Sequence, residues 1–96
     1  MPSVRYSSRA LTDLREIGTF TFQTWGETQA EHYLELLEDA CALNAQFPRI
    51  GRAYPGSPPN WRRLEYESHV ILYSTSRSFT TIQRIQHKNR LLPPAQ

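Results

Sequence analysis

The 96-residue sequence offers little that would staple, anchor or metallate a chain. It has one cysteine, Cys41, so no intramolecular disulfide is available. Cys41 falls in a helical pattern beside Leu37 and Asn44 and reads as a small buried side chain, not a nucleophile. Apolar runs stop at three or four residues, as in Val70-Ile71-Leu72-Tyr73, far short of the ~20 needed to cross a bilayer. The opening Met1-Pro2-Ser3-Val4-Arg5 lacks the apolar segment of a secretion signal. A cytoplasmic protein without a membrane partner is expected. His32, His69 and His87 are far apart in sequence and lack paired-ligand spacing, so no metal is expected. Gly-x-Gly-x-x-Gly and Walker patterns are absent, and no cofactor or small-molecule ligand is expected either.

What the sequence does have is a lopsided charge. Residues 1–47 carry three basic groups against seven acidic ones, a net of −4, and residues 48–96 carry eight basic against two acidic, a net of +6. The second half is therefore suited to an acidic partner: nucleic acid, an acidic protein surface or an acidic peptide. A solvated basic sheet face explains the same charge equally well.

The chain length allows one domain, residues 1–96, with one core. Val4-Arg5-Tyr6 alternates as a short strand. Ser7 or Ser8 then caps a helix running to about Trp25, with Leu11, Leu14, Ile17, Phe20 or Thr21, and Trp25 as its apolar stripe. Gly18 marks a place where another segment packs close, and Gly26 stops the helix. Trp25 is read as holding the turn that follows. Glu27 to Phe47 forms a second helix, with Ala30, Tyr33, Leu34, Leu37, Cys41, Asn44 and Phe47 inward, and Pro48 ends it. One glycine between two helices predicts an antiparallel hairpin. Residues 48–60, with four of the seven prolines, read as a loop. Three strands follow: Trp61 to Tyr66, the nearly all-apolar and hence central His69 to Ser74, and Phe79 to Gln86. In the last, Phe79, Thr81, Gln83 and Ile85 are expected on one face and Thr80, Ile82, Arg84 and Gln86 on the other. The fold class is α+β: an N-terminal strand joining a sheet edge, and a helical hairpin packed on a small, mostly antiparallel sheet completed by three C-terminal strands.

Four stretches, in this order, resemble the ParE toxin family of the ParE/RelE type II toxin–antitoxin superfamily. They are Trp25-Gly26 with Gln29-Ala30 and Tyr33-Leu34; Phe47-Pro48-Arg49-Ile50-Gly51-Arg52; Arg63-Leu64 with Ser68-His69-Val70-Ile71-Leu72-Tyr73; and Arg84-Ile85-Gln86-His87-Lys88-Asn89-Arg90. Arg9 stands where the family often has proline, and Leu91-Leu92 replaces its usual closing pair. The resemblance implies a toxin that binds DNA gyrase, traps it on cleaved DNA, and is neutralised by a DNA-binding, ParD-like antitoxin.

RelE-like relatives share the fold and cut mRNA on the ribosome, which sets an enzymatic alternative. That chemistry needs an acid or base and cations around a phosphate; His87 is the candidate acid or base, with Arg63, Arg84, Lys88 and Arg90 as clamps. Lys88 is the sole lysine and no tyrosine follows Tyr73, unlike many ribosome-dependent members, so the binding reading is preferred. On that reading Trp61, Arg62, Arg63, Lys88 and Arg90 are the target-binding candidates, although Trp61 suits a core-covering role equally well. Phe20, Phe22 and Leu36, outside the narrowest core stripe, are the antitoxin-binding candidates. A degenerate, non-toxic co-repressor is a third possibility.

Overall fold

The computed structural model describes residues 3–53 and 60–88. Its elements are β1 (Ser3–Tyr6), α1 (Ser8–Trp25), α2 (Glu27–Gln46), β2 (Arg52–Ala53), β3 (Trp61–Tyr66), β4 (His69–Thr75) and β5 (Phe79–His87). The five strands form one mixed sheet in the order β1-β5-β4-β3-β2. β1 runs parallel to β5 at one edge, and the other neighbours are antiparallel. The expected α+β arrangement is the one observed. The short edge strand β2 lies inside the stretch read as plain loop; two residues are too few for alternation to register.

Ser7 closes β1 and opens α1. Its backbone N–H donates to the Ile82 carbonyl (3.0 Å), its hydroxyl oxygen accepts from Ala10 N–H (3.0 Å), and the hydroxyl donates to the Gln83 carbonyl (2.8 Å). The hairpin turn is Gly26 alone, at φ 94°, a conformation that favours glycine. Gly18 lets the two helices approach: a Cβ there would lie 3.1 Å from Leu34 Cδ1.

The helices cover one face of the sheet. Ala10, Leu37, Ala40 and Cys41 meet Ile71, Tyr73, Ile82 and Ile85, with Val4, Tyr6, Leu14, Ile17, Tyr33, Leu64 and Tyr66 around them. The middle of the stripe expected for α1, Leu14, Ile17 and Thr21, faces inward, but its two ends do not. Ala10, Asp13 and Thr21 are its buried residues, whereas Leu11 and Trp25 are exposed. Phe47, expected inward, is also exposed. β5 departs from simple alternation as well. Tyr73 pairs with Ile82 but Leu72 pairs with Arg84, so Gln83 is an extra residue and Ile85 returns to the helix-side face with Ile82.

Candidate functional site

β1 ends opposite Ile82, and β5 runs on to His87 with β4 on one side and, among the described residues, no strand on the other. Helix α1 takes that place. Asp13, buried, receives the Ile85 N–H at 2.9 Å and is gripped by Arg84 through Nε (2.9 Å to Oδ2) and Nη2 (3.1 Å to Oδ1). Its carboxylate thus stands in for a strand carbonyl. The same contact raises the Arg84 pKa above its ordinary value. Arg84 is bound in the frame of the fold, paired in the geometry in which a guanidinium holds a carboxylate most firmly.

Beyond this contact the hairpin and the lower half of β5 diverge and leave a groove of about 520 Å³. Ile17 and Ile85 give it an apolar lining, and Phe20 and Trp25, 65% and 69% exposed, flank it. At its other side Tyr33, His69 and His87 meet. Tyr33 Oη lies 2.6 Å from His69 Nδ1, and the His69 and His87 rings are edge-on with centroids 5.4 Å apart. Burial raises the Tyr33 pKa, so the phenol keeps its proton and can donate it to a neutral imidazole. The two histidines, distant in sequence, are direct register partners on β4 and β5. Only strand pairing could have shown this.

The sheet face turned away from the helices carries a different set. Trp61, half-buried, packs on Val70 and Leu72. Arg63, Arg52 and Lys88 converge on the single carboxylate of Glu65 at 3.0, 3.7 and 3.4 Å. The hydrogen bond and charge of Lys88 hold the Glu65 pKa below its ordinary value. Arg62 is not part of this set. It alternates to the other face and donates to the Gly51 carbonyl at 2.8 Å, where Tyr73 Oη accepts Gly51 N–H and donates to the Pro48 carbonyl, both at 2.8 Å. Of the target-binding candidates, Trp61, Arg63 and Lys88 therefore share a face and Arg62 buttresses the loop. Arg90 lies outside the described residues.

Of the antitoxin-binding candidates, Phe20 borders the groove, Phe22 is exposed elsewhere on α1, and Leu36 is half-buried on α2. Trp25, read as a turn residue, proves to be an exposed wall of the groove. Among the described residues no group of three or more potential metal ligands occurs, and no helix is long and apolar enough to cross a membrane.

The family model described as the ParE toxin of the type II toxin–antitoxin system parDE matches residues 4–92. The chain belongs to the ParE toxin family. Toxin ParE1 of Mycobacterium tuberculosis is 38% identical over 89 residues, covering 90% of this chain and 91% of that relative. Toxin ParE1 of Caulobacter vibrioides is 34% identical over 73 residues, 76% of each chain. A chain of the chromosomal ParDE toxin–antitoxin system from P. aeruginosa superposes with a TM-score of 0.77 at 20% identity, covering 91% of this chain and 96% of its own length. One from the E. coli DinJ-YafQ toxin–antitoxin complex gives 0.61 at 13% identity, covering 96% and 98%. At such identities these two structures show a shared fold. ParE-family membership places the chain as the toxin of a type II toxin–antitoxin system.

Proposed function

We propose that residues 1–96 act as one cytoplasmic toxin domain that inhibits DNA gyrase by binding it, and that a cognate antitoxin neutralises the toxin by covering the helical hairpin. The observation that carries the gyrase reading over mRNA cleavage is the separation of chemistry between the two sheet faces. His87, the candidate acid or base, lies in the hairpin groove against His69. Arg63 and Lys88 lie with Glu65 on the opposite face, and Arg84 is held by Asp13. An imidazole and the cations meant to hold its phosphate substrate must face one another across that phosphate. Among the described residues these do not, so a binding surface made of Trp61, Arg63 and Lys88 fits better than an active site.

The antitoxin reading is supported by the groove, whose apolar lining and exposed Phe20 and Trp25 suit an apolar segment, and by the fold shared with chains of two toxin–antitoxin systems. The hairpin, residues 8–46, bears seven acidic groups against two basic ones, so that segment should also carry basic side chains.

The test is a gyrase supercoiling assay on relaxed plasmid with the toxin freed of antitoxin. Loss of supercoiling with accumulation of linear, protein-linked DNA is expected. Undisturbed supercoiling at large toxin excess, with ribosome-dependent mRNA cleavage in parallel, would overturn the gyrase reading.

A further inference from the structure

We infer that the Tyr33–His69–His87 cluster makes antitoxin docking pH-dependent, so that acidification loosens the complex; this rests on the groove being the antitoxin site. Two imidazoles in edge contact line the same groove as Ile17, Phe20, Trp25 and Ile85. An apolar segment seated there removes water from the half-buried His87 ring, whereas His69 is already buried at 8% exposure. Desolvation penalises the charged form of an imidazole, so docking favours the neutral pair. Two adjacent imidazolium ions would also repel each other.

Several charged and titratable groups surround the cluster. Asp13 and Glu16 face it from α1, and Tyr33 does so from α2. Tyr66 pairs with His69 from β3. Glu67 lies in the β3–β4 turn close enough to Tyr33 to raise its pKa. On β5, Arg84 is already matched by Asp13, and Lys88 reaches Glu65. Docking, which favours the neutral rings, must expel any proton held on the pair. Tyr33 adds a directional constraint. At 2.6 Å from Nδ1, its O–H donates to a neutral His69, and a protonated ring has a donor at that position instead.

The proton balance is simple. The free toxin carries a proton on the histidine pair at low pH, the docked toxin does not, and the proton passes to solvent. Affinity should therefore fall severalfold between pH 7 and pH 5.5, the range in which imidazoles take up a proton.

The experiment is calorimetric titration of the toxin with its separately purified cognate antitoxin at pH 7.5, 7.0, 6.0 and 5.5, at each pH in two buffers of different ionisation enthalpy. Weakening toward acid pH, buffer-dependent heat from proton release, and a flattened profile in His87→Gln or His69→Gln are expected. Affinity constant within twofold across the range, or a wild-type profile retained by both variants, would overturn the inference. Phe20→Asp at pH 7.5 tests the docking itself. Affinity lost in that variant keeps the groove as the antitoxin site whatever the pH series shows; affinity unchanged removes the groove reading and the pH coupling together.

Discussion

Asp13 is the residue on which the frame of the groove depends most. It joins α1 to β5 through three hydrogen bonds, two from Arg84 and one from a backbone N–H that has no neighbouring strand to bond. Asp13→Ala leaves that N–H and a partly buried guanidinium without their acceptor. A loss of about 1–3 kcal/mol is expected, measured by urea unfolding, and an unchanged midpoint would show that water replaces the carboxylate at no cost. Gly51 is constrained by space. A Cβ there would stand 2.5 Å from Tyr73 Oη and 2.6 Å from the Arg63 carbonyl, so Gly51→Ala must displace the Tyr73 lock on Pro48 and Gly51. A cost of about 1–3 kcal/mol follows, read as a fall in Tm. Cys41 is buried, and burial pushes its thiol pKa up from 9.0 to about 11; burial also raises Tyr6, which hydrogen-bonds it. A raised pKa means that the unfolded chain gives up its proton first. The contribution of Cys41 to stability is therefore flat below pH 9 and declines as pH rises from 9 toward 11. A thermal melt series from pH 7 to 10.5 should show that decline, smaller in Cys41→Ala; a Tm independent of pH above 9 would contradict it.

At the scale of elements, periodicity was a good guide where one physical rule acted alone. Both helices and the three C-terminal strands lie within one residue of their expected ends, because capping serine, glycine and proline punctuate them. It failed where two rules competed. The stripe Leu11–Trp25 obeys helical spacing, but α1 rolls so that Asp13, not Leu11, meets β5, since an otherwise orphaned N–H and guanidinium outweigh one leucine. Alternation along β5 fails at Gln83 because the bulge inserts one residue. The candidate sites fared accordingly. Trp61 and Arg63 could be placed on one face by alternation alone. The meeting of Tyr33 with His69 and His87 could not be read, because it depends on packing α2 over the β4–β5 register. Arg84 looked like a phosphate clamp because nothing local marks Asp13, 71 residues away, as its partner.

At the scale of the whole molecule, charge and chemistry are sorted between two surfaces. The hairpin and its groove are acidic and apolar; the far face of the sheet gathers Arg52, Arg63 and Lys88 around one carboxylate. Such exposed cations act over roughly a Debye length, so an encounter made through them should weaken as salt rises from low to physiological ionic strength. The proposed placement of target and antitoxin on opposite surfaces implies that the two sets of contacts separate by mutation. The most direct measurement compares gyrase inhibition by His87→Gln with that by an Arg63→Glu/Lys88→Glu double variant, each folded as judged by its melt. Inhibition by His87→Gln within twofold of wild type, and at least a tenfold loss in the double variant, is the expected result. Inhibition abolished by His87→Gln and retained by the double variant would contradict the assignment of the two faces.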